Sequence, residues 1–422
     1  GGVSMQSPVW NSENDGPLAG IRICDFTGQL AGAGATKILA AFGAEVIRIE
    51  DPSNRGKWDI LRGVPPFVGS NRGLEAGGAF NNHNAGKLGI TLNLREPRAR
   101  EILKDLVSIS DAVTENFAAG VLDRLGFGYE SLRSIRENIV YVSNSGFGAT
   151  GPYKSFKSWG PIAQAVSGLT FSSGLPDEPP AGWGYSFMDH TGAYYMAIAT
   201  LMALFHRQKT GEGQWVDIAC IESAGTLHGA ASLDATVNER PIRRSGMPNS
   251  NRSQSPAMAP HGIWRAKGNN EWVSIAIRDD IDWEIFAEVV DQPWAHDERW
   301  KRLVGRLASE SELEKLIASW VQEFTKFEVS EMLRSAGIPC GAVLKPIERI
   351  EADQRTEKLW VEVEHSKVGV SKVEGLPLEL SETNWHLSRG APCLGEHNSY
   401  VLGDLLGISN SELDDLAESG VI

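Results

Sequence analysis

Apolar and polar positions along the first half of the chain predict strands and helices in regular alternation. Apolar runs at 21–26 and 45–50 predict two strands, and the segment 35–42 between them predicts a helix. The same succession continues with a predicted helix at 97–108 and with strands at 88–94, 111–117, 139–143 and 214–219. Strands that alternate with helices indicate a parallel sheet with helices on both faces. The sequence therefore predicts an α/β fold with a doubly wound, mostly parallel, Rossmann-like sheet.

The carboxyl ends of parallel strands are where such sheets bind ligands. Leu30, Asn116 and Ser145 each follow or end a predicted strand. We therefore expect these three residues to lie close together at one edge of the sheet.

The pattern changes along the chain in a way that predicts two domains. Residues 17–237 are predicted to form the first part of a large domain, and residues 238–260, with prolines, serines and arginines, a linker or binding loop. Residues 261–337 contain two strands followed by helices and predict a smaller α+β domain. Residues 338–422 are expected to lead back and complete the large domain.

The segment 192–206 is apolar on nearly every side and predicts a buried helix. Directly before it, polar and aromatic residues alternate. If this stretch is extended, three aromatic side chains share a face with Asp189, namely those of Trp183, Tyr185 and Phe187. Backbone N–H groups and the positive end of the helix dipole favour an ionised carboxylate at a helix start. Asp189 is therefore a candidate nucleophile, with a simple helix N-cap as the alternative.

Composition and charge limit the classes of function. The 422 residues carry a formal net charge of −14, which argues against a general nucleic-acid surface and against attraction to anionic membranes. No apolar run approaches the ~20 residues of a membrane span, and the first residues lack the features of a signal peptide. The four cysteines have no metal-type spacing and are interpreted as free thiols. We expect a cytoplasmic protein without metal, nucleic-acid or membrane partners.

The first strand-to-helix turn leaves one alternative function open. An acidic residue follows the second strand, as in dinucleotide-binding folds. The glycines of the turn, Gly28, Gly32 and Gly34, have the wrong spacing, because three residues separate the first two and one separates the last two. A tight turn is the simpler interpretation, and a dinucleotide-dependent oxidoreductase is kept as the alternative.

Widely spaced motifs along the chain resemble class III coenzyme A transferases, the CaiB/BaiF type. The matching segments, in order, are 17–26, 43–50, 84–87, 115–117, 146–152, 206–214 and 391–397. The resemblance implies an interlocked homodimer, or a pair with a related second subunit, in which each large domain is built from both chain ends. It also implies that no cofactor is permanently bound, since coenzyme A (CoA) and acyl-CoA are substrates.

The resemblance implies a reaction in which CoA moves from an acyl-CoA donor to a free carboxylic acid. Asp189 occupies the position of the family's nucleophile. The resemblance implies that the reaction passes through an aspartyl anhydride and an aspartyl-CoA thioester. The alternative within the family is an α-methylacyl-CoA racemase or epimerase, although the segment 158–162 lacks the His and Asp of that branch. At Leu30, Asp51 and Ser145 the chain departs from the formyl-CoA transferases that it resembles, which argues against formate or oxalate as the acid.

The resemblance further assigns residues to CoA and to the acid. Lys87 and Arg124 are expected to contact the phosphates of CoA. The loop at 29–31 is expected to approach the pantetheine and the reacting thioester. The predicted CoA-binding residues are Gln29, Leu30, Ala31, Lys87, Asn116, Phe117, Arg124, Ser145 and Phe147. The predicted substrate pocket consists of Trp183, Tyr185, Phe187 and His190, with His190 either bonding at the helix start or assisting proton transfer. Its aromatic character predicts a bulky or aromatic acid, and the segment 183–195 resembles benzylsuccinate CoA-transferase subunits, which implies a benzylsuccinate-like acid.

Overall fold

The structure, a computed structural model, describes residues 16–54, 58–70, 72–175, 177–184, 186–351 and 354–422. The first residues of the chain and Tyr185, both interpreted above, lie outside the described residues. The chain forms two compact units. The large unit contains the described residues up to Ser172, together with Ala181–Pro241 and Lys358–Ile422. The small unit contains Ser173–Pro180 and Ile242–Glu357.

A six-stranded sheet forms the centre of the large unit. Its strands are β1 (Arg22–Asp25), β2 (Glu45–Glu50), β3 (Leu88–Thr91), β4 (Ala112–Glu115), β5 (Val140–Ser145) and β6 (Trp215–Ala219). They lie in the order β3-β2-β1-β4-β5-β6, and every neighbouring pair is parallel. The predicted doubly wound α/β fold is confirmed. The strand order reverses between β1 and β4, which is where folds of this type bind ligands.

Helices cover both faces of this sheet. Those before the small unit are α1 (Ala31–Ala41), α2 (Gly78–Asn84), α3 (Pro97–Ser108), α4 (Val121–Arg124), α5 (Tyr129–Ile135), α6 (Gly160–Val166), α7 (Phe187–Thr210), α8 (Cys220–Thr226) and α9 (Gly229–Asn238). Helix α3 packs Ile102 and Leu106 on the face that carries Ile47, because buried residues recur there every three or four positions. The opposite face carries Val46 and packs against α1 and α7.

Helix α7 differs from the predicted helix at 192–206. It begins at Phe187 and ends at Thr210, before Gly211 in the left-handed conformation. One side is buried, whereas Ile198, Met202 and Phe205 are 54%, 67% and 61% exposed. The prediction of a helix buried all round is therefore wrong for this chain by itself. None of the described helices combines the length and the apolar character that crossing a membrane requires.

The small unit is an antiparallel sheet with helices. Its elements are the hairpin β7 (Ser253–Gln254) and β8 (Ala257–Met258), the strands β9 (His261–Arg265), β10 (Trp272–Ala276) and β11 (Cys340–Ala342), and the helices α10 (Asp280–Val290), α11 (Leu303–Ala308), α12 (Glu310–Val321), α13 (Lys326–Ser335) and α14 (Pro346–Glu351). Strand β11 pairs with β10, so this unit extends beyond the predicted boundary at residue 337. The residues from Ile242 also belong to it rather than to a separate linker.

From Lys358 the chain belongs to the large unit again. This part contains the hairpin β12 (Trp360–His365) and β13 (Gly369–Glu374), the π-helix Ser399–Leu405 and α15 (Asn410–Glu418). The backbone N–H of Gly89, in β3, donates to Nδ1 of His397 (3.0 Å), and the carbonyl of Gly89 accepts from the N–H of His397 (2.8 Å). The motif at 391–397 therefore fixes the returning chain to the edge of the sheet. Short 3₁₀ turns lie at Pro52–Asn54, Ile60–Gly63, Glu298–Trp300 and Gln354–Leu359.

Candidate active site

A cleft opens at the carboxyl ends of the strands, where the strand order reverses. Leu30 from the loop after β1, Asn116 after β4 and Ser145 at the end of β5 all line it. Asp189 lines the same cleft from the start of α7. The structure therefore brings together the three residues that the strand pattern placed at one edge, and it adds the candidate nucleophile to them.

Asp189 is the third residue of α7. Ser186 precedes the helix in a left-handed conformation (φ 37), and its carbonyl accepts from the backbone N–H groups of Asp189 (3.0 Å) and His190 (3.3 Å). The N-cap interpretation of Asp189 is therefore wrong, because Ser186 occupies that position. Burial raises the pKa of the Asp189 carboxyl above its ordinary value, against the smaller opposing effects of a hydrogen bond to Ser186 and the proximity of His190. Burial thus outweighs the stabilisation of the charge that the sequence predicted.

Three residues that sequence reasoning missed line the same cleft as this carboxylate, namely Asn144, Gly160 and Cys220. A Cβ atom on Gly160 would lie 2.3 Å from Oδ2 of Asp189, so only glycine lets the start of α6 approach so closely. Burial, and then the charge of Asp189, raises the pKa of the Cys220 thiol to about 12. Its Sγ donates to Oδ1 of Asn144 (3.3 Å). The Gly160-Pro161 pair, typical of a helix start, was the signal available in the sequence.

The rest of the cleft wall is uncharged among the described residues. No lysine or arginine lines it, and Asp189 is its one carboxylate. Its apolar side chains include those of Leu30, Leu61, Val64 and Trp159. The carboxylate therefore faces a mainly apolar enclosure.

The loop after β1 makes a left-handed turn at Gln29 (φ 55). The N–H of Gly28 donates to Oδ1 of Asn116 (2.7 Å), and Nδ2 of Asn116 donates to the Gly28 carbonyl (3.0 Å). The N–H of Gln29 donates to Oδ2 of Asp59 (3.2 Å). A Cβ on Gly28 would lie 2.9 Å from the ring of Trp58. Side chains from two other segments therefore fix the backbone of this turn.

Lys87 does not lie where the resemblance placed it. Its side chain is fully buried, and Nζ donates to the Ala33 carbonyl (3.0 Å) and to Oδ1 of Asn84 (2.9 Å) and lies 3.3 Å from Oδ2 of Asp25. Burial lowers the pKa of this amine to about 8. An amine enclosed in this way cannot reach a ligand phosphate, which corrects the expectation for Lys87. Arg124, in contrast, is exposed at the end of α4.

A groove adjoins the cleft and shares Gln29, Asn116 and Ser145 with it. Aromatic rings line the groove, and Lys157 is the cation among its described residues; the rings are those of Trp58, Phe117, Phe156 and Trp159. Phe147 lies behind it, with its ring 5.7 Å from that of Phe156. The hydroxyl of Ser145 is buried where cleft and groove meet, with no hydrogen-bond partner in the described part of the chain.

The aromatic residues before Asp189 are arranged differently from the prediction. Because α7 begins at Phe187, Phe187 and Asp189 are helical and do not share one face of an extended segment. The rings of Trp183 and Phe187 are 5.2 Å apart and partly exposed, and neither lines the cleft. The ring of His190 lies 5.6 Å from that of His83, away from the lining of the cleft. Among the described residues, the indole that lines the cleft is that of Trp159.

One group of side chains in the described part of the chain has the composition of a metal site. Ligand atoms of Glu75, His365 and Cys393 lie within 4.8 Å of one another. Glu75 already accepts from Arg62 (2.7 Å). Nδ1 of His365 accepts from the N–H of Lys367 (3.1 Å), which leaves the ring proton on Nε2. Both contacts disfavour metal binding.

Comparisons with known proteins identify the family of this chain. A family model, CoA-transferase family III, matches residues 18–398. The formyl-CoA:oxalate CoA-transferase of Streptomyces coelicolor is 33% identical over 418 residues, which cover 96% of this chain and 99% of the relative. The succinyl-CoA--D-citramalate CoA-transferase of Chloroflexus aurantiacus is 31% identical over 408 residues, covering 96% and 98%.

Solved structures show the same fold. A CAIB/BAIF family protein from Brucella suis matches with a TM-score of 0.82 and 26% identity, covering 92% of this chain and 99% of that one. Rv3272 from Mycobacterium tuberculosis matches with a TM-score of 0.74 and 22% identity, covering 91% and 98%. The predicted family and enzyme class are confirmed: this chain belongs to CoA-transferase family III and is a CoA-transferase.

Proposed function

We propose that this enzyme moves CoA from an acyl-CoA donor to a free carboxylic acid, with Asp189 as the nucleophile. The observation that supports this is the setting of the Asp189 carboxylate, which lies in the cleft of the sheet without a lysine or arginine among the described lining residues. A counter-ion would hold the negative charge and weaken its attack, and water would do the same. A carboxylate with few partners is therefore suited to attack a thioester.

The reaction proceeds through exchange of CoA on Asp189. The carboxylate attacks the thioester carbonyl and expels CoA thiolate, giving a mixed anhydride. The thiolate attacks the aspartyl carbonyl, which releases the donor acid and leaves an aspartyl-CoA thioester. The acceptor carboxylate attacks that thioester and expels the thiolate, giving a second anhydride. The thiolate finally attacks the acceptor's acyl carbon, which yields the new acyl-CoA and restores the carboxylate.

The walls of the cleft protect these intermediates. Water hydrolyses anhydrides, and apolar side chains such as Leu61 and Val64 limit its access. The Cys220 thiol lies in the same cleft, but with a pKa of about 12 it stays protonated near neutral pH. Cys220 therefore does not compete with CoA thiolate.

The groove beside the cleft supports a role in binding CoA. Its aromatic rings suit stacking with a base, and Lys157 suits a phosphate. Arg124 keeps its proposed phosphate contact, whereas Asn116 contributes by holding the Gln29 turn.

The acid is proposed to be bulky or aromatic, with a benzylsuccinate-like acid as the example. The support comes from Trp159 and the aliphatic walls of the cleft rather than from Trp183 and Phe187. The two relatives described above are named for oxalate and D-citramalate. A panel of aryl, alkyl and small acids, with products identified by mass spectrometry, tests this; a preference for oxalate would contradict it.

The enzyme is further proposed to form a homodimer, with a related second subunit as the alternative. The apolar residues Ile198, Met202 and Phe205 on α7 leave a face that a second chain can cover. Sedimentation of the purified chain tests this, since a monomer at micromolar concentration would contradict the homodimer.

The transfer itself is tested with Asp189→Asn. Because the covalent route is lost, transfer should fall by several orders of magnitude, about 10³-fold or more. Glu130→Gln is the matched control, since Glu130 is an exposed carboxylate in the first turn of α5. An Asp189→Asn enzyme with a tenth of wild-type activity would contradict the assignment. Exchange of the acyl α-proton with deuterated solvent, without transfer, would favour an epimerase instead.

A further inference from the structure

We infer that Asp59, held by Arg48, is a positioning residue for CoA transfer, because the pair fixes the left-handed turn at Gln29 that borders the cleft. The inference rests on the proposed function in one respect: the turn matters for transfer because Gln29 lines the same cleft as Asp189. Asp59 itself is fully buried and does not line the cleft.

The contacts of Asp59 and Arg48 converge on the two peptide groups that flank Gly28. Oδ2 of Asp59 accepts from the Gln29 N–H (3.2 Å) and from Nη2 of Arg48 (2.6 Å). Nη1 of Arg48 donates to the carbonyl of Thr27. The pair therefore binds the chain immediately before and immediately after Gly28.

Both partners of this pair are themselves fixed in place. Oδ1 of Asp59 accepts from the N–H of Leu61 (3.1 Å) at the start of a 3₁₀ turn. The guanidinium of Arg48 lies 5.1 Å from the ring of Trp58 and 5.0 Å from that of Phe80. Side chains held in this way have few alternative positions, so they transmit a fixed geometry to the turn.

Burial of this pair is not by itself evidence that the pair adds to general stability. Both side chains are 0% exposed. A buried ion pair contributes little to stability compared with well-packed apolar residues. Gln29, with φ 55, occupies a backbone conformation that is unfavourable for a residue with a side chain. The hydrogen bond from its N–H to Asp59 opposes relaxation of that turn, and Leu30 and Ala31 follow it directly into the cleft.

Asp59→Asn tests the inference with a side chain of the same shape. An amide has one acceptor oxygen, so it cannot accept both from Leu61 on one side and from Gln29 and Arg48 on the other. Glu75→Gln is the matched control. Glu75 accepts from Arg62 (2.7 Å) and from the N–H of Leu394 (3.1 Å), and it makes no hydrogen bond to the 27–30 turn among the described residues.

Two readouts separate positioning from a loss of stability. In Asp59→Asn, kcat should fall about ten- to a hundredfold, while KM for acyl-CoA changes by about twofold or less. Amide hydrogen exchange, followed by mass spectrometry, should accelerate in peptides that contain Gln29. In Glu75→Gln, kcat and the exchange rate of peptides that contain Gln29 should both stay close to the wild-type values. If Asp59→Asn matches Glu75→Gln in kcat, or if kcat falls without faster exchange at Gln29, the inference is wrong.

A second variant serves if Asp59→Asn does not fold. Arg48→Lys keeps the charge but cannot bind Asp59 and the Thr27 carbonyl together, so it should give the same two changes. Unchanged exchange in Arg48→Lys would contradict the inference. The exchange result does not depend on the nucleophile, so an active Asp189→Asn enzyme would overturn the proposed function and leave the positioning of the turn to be judged by its own measurement.

Discussion

The carboxylates buried beneath the loop after β1 and the carboxylate inside the cleft have opposite surroundings. On the side of the loop after β1, buried carboxylates have cationic partners: Asp25 with Lys87, and Asp59 with Arg48, at 3.3 and 2.6 Å. On the other side, Asp189 has no lysine or arginine within ion-pair distance among the described residues, and burial raises its pKa.

This difference separates the carboxylates that hold the loop from the carboxylate proposed as the nucleophile. A carboxylate that is paired with a buried cation is stabilised in its ionised form and is a poor nucleophile. A carboxylate that is partly withdrawn from water and left without a cation is less stabilised and more reactive. Under the proposed function, Arg48 and Asp59 fix the turn at Gln29, and the unpaired Asp189 is the nucleophile.

The paired side is tested most strongly by Arg48→Met. The variant removes the ion-pair partner of buried Asp59 and one of the two guanidinium partners of Glu50, which keeps Arg62 at 2.6 Å. The free energy of unfolding should fall by about 3–5 kcal/mol. Urea denaturation followed by circular dichroism measures this. A loss below about 1 kcal/mol would mean that the pair is not needed to hold the loop.

The unpaired side is tested by Gly160→Ala. The new Cβ would lie 2.3 Å from Oδ2 of Asp189, so the carboxylate must move. Displacement of the proposed nucleophile should lower kcat by about ten- to a hundredfold. Gly225→Ala is the control, since a Cβ there meets nothing within 4 Å. Equal activity of the two variants would show that the position of the carboxylate is not fixed by α6.

The smallest effect is expected in the stability of Asp189→Asn. The folded pKa of Asp189 is raised, so its stabilising contribution is present at low pH and is lost as the pH rises through that raised value. At about pH 7.5 the charge disfavours folding, and Asp189→Asn should have the higher Tm. The difference in Tm between the variant and the wild type should disappear as the pH falls towards 3.8, the ordinary pKa of an aspartate. A lower Tm for the variant at about pH 7.5 would contradict this.

The sequence predicted elements whose signals are local. Helix α3 has the predicted bounds, Pro97–Ser108, because proline starts it and apolar residues recur along one side. The parallel sheet and the meeting of Leu30, Asn116 and Ser145 followed from the alternation of strands and helices.

What the sequence did not reveal depends on distant contacts. The start of α7 was misplaced because Ser186 adopts a left-handed conformation without being glycine. Lys87 was predicted to bind CoA because nothing local shows that Asp25, at the end of β1, lies 3.3 Å from its amine. Asp59 accepts a hydrogen bond from Gln29, which is 30 positions away in the sequence. Gly160 lies against Asp189, which is 29 positions away.

The central claim, that the unpaired carboxylate of Asp189 carries CoA covalently, is tested most directly by trapping. Wild type and Asp189→Asn are incubated with an acyl-CoA in the absence of an acceptor acid, and the intact protein and its peptides are then analysed by mass spectrometry. The wild-type protein should gain the mass of one CoA less one water, on the peptide that contains Asp189, and Asp189→Asn should gain nothing. An adduct on another residue, or an equal adduct in the variant, would contradict the claim.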